Sequence, residues 1–135
     1  MIQKIARSIL NSYYKPVENF VGNPLGTQQR TLQYLLEHGR NSLYGKKMDF
    51  ANIKDYSGFN KKVPVTSYED LRPYLEKIIV EKKENVLWDT PVKWFAMSSG
   101  TTEDKSKYIP VTKESLYNGN YRAGYHMLGT YAVHH

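Results

Sequence analysis

Residues 95–112, FAMSSGTTEDKSKYIPVT, set small hydroxyls, a glycine and ammonium groups side by side. Ser98, Ser99, Thr101 and Thr102 supply the hydroxyls, Gly100 the glycine, and Lys105 and Lys107 the cations. Phosphate recognition requires donors that converge without bulk: backbone N–H groups of a glycine-containing turn, short hydroxyls, and an ammonium group or two. Gly100 would let the backbone pass close to a ligand oxygen. Glu103 and Asp104 act in the other direction, since both would oppose a bound anion unless a metal ion stands between them. The stretch lacks the second glycine followed by Lys and Ser or Thr that defines a Walker A loop, and it lacks the three-glycine dinucleotide fingerprint. From these residues alone two readings stay open: a polar turn joining two strands, or a cradle for phosphate.

Such a loop needs rigid elements on either side. VKWFAM (92–97), rich in β-branched and aromatic residues, predicts one strand, with Trp94 and Phe95 as core residues. KYIPV (107–111) predicts a second, and Pro110 confines it to an edge or an end. Further back, VPVTSYEDL (63–71) offers two capping boxes, Thr66 with Glu69 or Ser67 with Asp70. Leu71, Tyr74, Leu75, Ile78 and Ile79 then follow at helical spacing, and Lys82 and Lys83 close that helix where cations suit its dipole. Ile2, Ile5, Ile9 and Leu10 predict an amphipathic first helix, which Pro16 and VGNPLG (21–26) interrupt. Thr27 caps a second helix with Leu32, Leu35 and Leu36 on one stripe and Gly39 as its stop. Residues 40–62 read mostly as loop, with a short helical turn near Phe50–Tyr56. Thr112 caps a last helix through Leu116, Ala123, Met127 and Leu128, made less regular by Gly119, Gly124 and Gly129. His134 and His135 stand together without a metal-binding partner in sequence, so no metal ligand is assigned.

Composition narrows the function classes. At 135 residues the chain can bury a core, and an apolar fraction of 40% argues against disorder. Nineteen Lys and Arg against 13 Asp and Glu give a net charge of +6, but the cations come as scattered pairs such as Lys46–Lys47 and Lys61–Lys62. That pattern describes solvated faces rather than a nucleic-acid footprint. The absence of cysteine excludes a disulfide framework, a cysteine zinc site and a thiol nucleophile, and suits a cytoplasmic setting. No apolar run approaches bilayer length, so no membrane partner is expected. Lys4, Arg7 and Lys15 without an acid over residues 1–17 loosely resemble a transit peptide, but the amphipathic helix accounts for them.

Taken with its flanks, the loop resembles the nucleotide-binding signature of adenylate-forming enzymes. The closer resemblance is to the auxin-responsive (Gretchen Hagen) acyl-acid amido synthetase family. It is carried by TLQYLLEHGRNSLYGKKMDF (31–50), VPVTSYEDLRPYLEKI (63–78), ENVLWDTPVKWFAMSSGTT (84–102) and SKYIPVT (106–112), and extends over most of residues 25–120. The resemblance implies an α/β fold: the N-terminal part of an adenylate-forming large domain, with helices flanking a short strand pair of an incomplete sheet. It implies two half-reactions with ATP and Mg2+. A carboxylate attacks the α-phosphorus to give an acyl-adenylate and pyrophosphate, and an amino acid amine then takes the acyl group. Carried over, Ser98, Ser99, Thr101 and Thr102 hold phosphate oxygens beside Gly100. Lys107 is the catalytic lysine that neutralises departing pyrophosphate, Lys105 is a second cation, and Asn118 points back at the nucleotide from the following helix.

Two departures are visible. Asp104 stands where many relatives have glycine, and the family's base-binding motifs, acyl pocket, magnesium carboxylate and C-terminal domain have no counterpart in residues 1–135. The chain is therefore expected to be an N-terminal segment, inactive alone, of an enzyme whose partners are a small carboxylic acid and an amino acid. An acyl-CoA synthetase passing its acyl group to a thiol is the alternative. A basic, tyrosine-rich nucleic-acid module is the third reading, and the scattered lysines weigh against it.

Overall fold

An asparagine followed by a proline, Asn23–Pro24, decides where the first two helices divide. In the computed structural model, which describes residues 2–98 and 106–135 with side chains from Arg7 onward, α1 (Ile2–Gly22) runs straight through Pro16. The expected break at Pro16 does not occur. Proline removes one backbone donor, and the packing of α1 on α6 (Arg122–His134) is the available compensation. Asn23 donates its N–H to Asn19 O at 3.1 Å and accepts the N–H of Gly26 on Oδ1 at 2.9 Å, ending α1 and capping α2 (Pro24–Gly39). Proline fits the first helical position, where its missing N–H would have had no partner. Asn23 thus takes the capping role expected of Thr27, which sits a turn inside.

Met1–Gln28 with Glu114–His135 form one compact unit, and Gln29–Lys113 another. The first is a pair of long helices. Gly129 of α6 is buried, and a Cβ there would lie 2.8 Å from both Leu10 O and Tyr14 N. Only glycine lets the two backbones approach this closely. Tyr13 stacks on Tyr125 with centroids 5.0 Å apart, and Tyr14 meets His134 edge-on at 5.6 Å. The expected helix after Thr112 is present but begins with a π-helical stretch, Ser115–Tyr121, before α6. Gly119 inside that stretch gives the backbone latitude for the wider turn.

The second unit is built from short, individually capped helices. Residues 40–62, read as mostly loop, hold α3 (Leu43–Lys47), a 3-10 turn at Phe50–Asn52, and α4 (Tyr56–Lys62). These helices are too brief for a periodic stripe, so their caps were the only sequence signal. Ser42, 0% exposed, accepts the N–H of Gly45 at 2.9 Å and donates to Gly39 O at 2.7 Å. The N–H groups of Leu43 and Tyr44 donate to Asn85 O and Val86 O, so the first turn of α3 is satisfied by the 84–93 segment. Asp55 caps α4 through the N–H of Gly58 at 2.8 Å. Asp49, in the left-handed region at φ 56°, pairs with Lys62 and accepts from Asn52 at 2.6 Å. Those two contacts, Lys62 first, hold its carboxyl below the ordinary aspartate range.

The helix α5 (Tyr68–Ile79) begins as expected, and of the two capping boxes it uses Ser67 with Asp70. It ends at Ile79; Lys82 and Lys83 stand beyond it. Lys82 turns left-handed at φ 53°, and the N–H of Lys83 returns to Lys77 O at 2.9 Å. Leu36, Ile53, Leu75, Ile78 and Val86 form the buried apolar core of this unit. Strands β1 (Trp94–Ser98) and β2 (Lys107–Val111) pair antiparallel as a two-stranded open sheet. Helices flanking a short strand pair is the architecture the sequence predicts.

Candidate functional site

The last rung of the β1–β2 ladder pairs Ser98 with Lys107. Because side chains alternate along a strand, Trp94, Ala96 and Ser98 share one face with Lys107, Ile109 and Val111. A hydroxyl and an ammonium group therefore stand together at the end of the ribbon, where the hydroxyl-rich loop departs. Ser98 is half-buried and Lys107 exposed. Ser99, Gly100, Thr101, Thr102 and Lys105 lie outside the described residues. Asn118 is exposed on the π-helical stretch of the other unit.

One residue that sequence reasoning passed over reaches this ribbon. Tyr68 is the first residue of α5, immediately after the Ser67 cap. Its Oη accepts the N–H of Tyr108 at 3.0 Å, across 40 positions of sequence. Its ring centre lies 5.6 Å from Lys107 Nζ, within cation–π range. An aromatic residue following a capping box was the only signal for it. The cap itself is firm: Asp70 accepts both the hydroxyl and the N–H of Ser67 at 2.7 Å. The Ser67 hydroxyl first, then its N–H, hold the Asp70 carboxyl below the ordinary range.

A cleft of about 540 Å³ opens beside this junction, with Leu75 and Ile79 as its apolar wall and Glu69, Arg72, Glu76, Lys107 and Tyr108 at its polar side. Arg72 is engaged by Glu69 at 2.9 Å, whereas among the described residues Lys107 makes no ion pair. Lys107 is thus a cation held by a ring rather than by a carboxylate. Three other lysines are paired with acids, Lys15 with Glu18, Lys62 with Asp49 and Lys77 with Glu81, and Lys47 lies 5.6 Å from the centre of the Tyr74 ring.

Trp94, expected in the core, is 46% exposed, because among the described residues nothing covers that face of the ribbon. His134 and His135 contact tyrosines, and among the described residues no cluster of three His, Cys, Asp or Glu can hold a metal. A second polar cluster lies in the same unit: His38 Nδ1 is 2.7 Å from Asp89 Oδ2, and the His38 ring stacks on Trp88 at 5.5 Å. It ties α2 to the 84–93 segment. Among the described residues, no helix is long and apolar enough to cross a membrane.

Comparison with known proteins identifies relatives of this chain. Residues 13–135 match the GH3 family N-terminal domain. The chain is 33% identical over 102 residues to indole-3-acetic acid-amido synthetase GH3.2 of Arabidopsis thaliana, covering 76% of this chain and 19% of that protein. It is 30% identical over 89 residues to jasmonoyl–L-amino acid synthetase JAR4 of Nicotiana attenuata, covering 66% of this chain and 15% of that one. Among solved structures it resembles AtGH3.15 acyl acid amido synthetase in complex with 2,4-DB, with a TM-score of 0.71 and 25% identity over 90% of this chain and 21% of that chain.

Proposed function

Because the chain belongs to the GH3 family, matching its N-terminal domain over most of its length, we propose that it supplies the phosphate-gripping hairpin of an acid–amino acid ligase. The whole reaction joins a small carboxylic acid to an amino acid as an amide. ATP supplies the activation: the carboxylate displaces pyrophosphate at the α-phosphorus, and the amine then takes the acyl group from the adenylate, releasing AMP. Magnesium accompanies the nucleotide; its protein ligands are not assigned to residues of this chain.

The observation that carries the reading is the Ser98–Lys107 rung, with a lysine free of carboxylates among the described residues. Such a pair suits an anion. The Ser98 hydroxyl donates to a phosphate oxygen, and the Lys107 ammonium stabilises charge that grows on the leaving pyrophosphate. Ser99, Thr101, Thr102 and the backbone at Gly100 add donors to the same cradle, and Lys105 a second cation. The relatives, whose names record amido synthetases, favour an amide over a thioester product. A cytoplasmic location suits a chain without cysteine.

The test is an NMR titration of the chain with MgATP, set against a variant carrying Ser98→Ala, Ser99→Ala and Lys107→Ala together. Wild type is expected to shift around residues 98–107 and the variant to stay silent; equal binding by both sinks the reading. A ligase site is assembled from several segments around excluded water. The 135-residue chain alone is accordingly expected to show no pyrophosphate exchange above a Lys107→Ala control.

A further inference from the structure

A lysine that must meet a phosphate has a problem of its own: four rotatable bonds and strong hydration let an exposed ammonium wander. Lys107 begins β2 and is exposed. What restrains it among the described residues is Tyr68, whose ring centre lies 5.6 Å from the ammonium. The same side chain grips the neighbouring backbone, because Tyr68 Oη accepts the N–H of Tyr108 at 3.0 Å. Tyr68 is in turn fixed by its place at the start of α5, where Ser67 and Asp70 close a reciprocal cap. A continuous chain of contacts runs from the cap through the phenol to the cation.

We propose that Tyr68 is the positioning residue for Lys107: its ring holds the ammonium, and its hydroxyl pins β2 one residue further on, so that the lysine is aimed before a phosphate arrives. This rests on the nucleotide reading of the hairpin and deepens it. A ring is a better holder here than a carboxylate. A carboxylate would neutralise the charge that phosphate needs, whereas a cation–π contact leaves it available. The two halves of Tyr68 have separable jobs, and that makes the proposal testable.

The experiment compares Tyr68→Phe and Tyr68→Leu with wild type in the whole labelled chain. The Lys107 ε-methylene protons are expected to carry a ring-current shift in wild type and Tyr68→Phe, and to lose it in Tyr68→Leu. The Tyr108 amide is expected to exchange about three- to tenfold faster in both variants, since both lack the phenolic acceptor. MgATP is expected to bind about two- to fivefold more weakly to Tyr68→Leu, with Tyr68→Phe recovering most of the loss. A merely structural tyrosine would not give a lysine signal that follows the ring while the amide follows the hydroxyl. An unchanged Lys107 signal in Tyr68→Leu overturns the proposal. So does weakened MgATP binding in Lys107→Ala with none in Tyr68→Leu, which leaves the nucleotide reading standing. Unchanged binding in Lys107→Ala overturns that reading and the proposal with it.

Discussion

The two units solve the problem of stability by opposite means. The Gln29–Lys113 unit holds all five buried apolar side chains found among the described residues: Leu36, Ile53, Leu75, Ile78 and Val86. Each of its short helices is closed by a named cap, Ser42, Asp55 or Ser67. The α1–α6 pair buries Gly129 and no large apolar side chain among those described, and it exposes Phe20, Val21, Met127, Leu128 and Tyr131. One unit is held by a core and terminal hydrogen bonds, the other by close backbone approach and ring contacts. The difference teaches where a chemical site can sit: the Ser98–Lys107 rung belongs to the unit that has a core behind it.

The sharpest way to break this contrast is Gly45→Ala. A Cβ at Gly45 would lie 2.0 Å from Gly39 O, and backbone cannot step aside as a side chain does. The expected cost is about 3 kcal/mol or more, read by urea unfolding, with amide protection lost first around residues 36–86. Loss of protection in α6 first would mean that the core unit is not the one that clash strains. Gly129→Ala makes the mirror test: its Cβ would sit 2.8 Å from Leu10 O. About 2 kcal/mol of destabilisation is expected, with faster exchange confined to α1 and α6.

Smaller changes sharpen rather than break the comparison. Ser67→Ala removes an N-cap hydroxyl and is expected to cost about 1 kcal/mol, seen as fraying of the first turn of α5. The same cap should respond to acid. Because the folded Asp70 carboxyl is held below its ordinary value, its contribution is full above the ordinary aspartate range. It is lost as pH falls through the folded value, so α5 protection should drop on acidification in wild type more than in Ser67→Ala. Least of all, Gly124→Ala meets nothing within 4 Å and should stabilise α6 by about 0.5–1 kcal/mol through helix propensity.

Much of the core unit was legible in sequence because its signals are local. A capping box lies within four residues, and β2 matched KYIPV to the residue because β-branched and aromatic types cluster there. What stayed hidden depends on distance along the chain. Gly39 and Gly45 read as a stop and a loop residue, yet they form a close backbone crossing that requires both helices to be known. Pro16 read as a break because sequence shows the donor it removes and not the helix that compensates. At the site, Ser98 and Lys107 were legible as types and the rung that joins them followed from the strands. The tie from Tyr68 to Tyr108 spans 40 residues and leaves no periodic trace.

Both tryptophans of the chain, Trp88 and Trp94, belong to the core unit. Light absorbed at the red edge of the ultraviolet band is therefore emitted by that half alone, and the α1–α6 pair stays dark. The two indoles also differ in surroundings, one lying over an imidazole and the other facing water four residues before Ser98. The molecule carries a built-in fluorophore beside its hairpin, ready to report the arrival of a ligand without any attached dye.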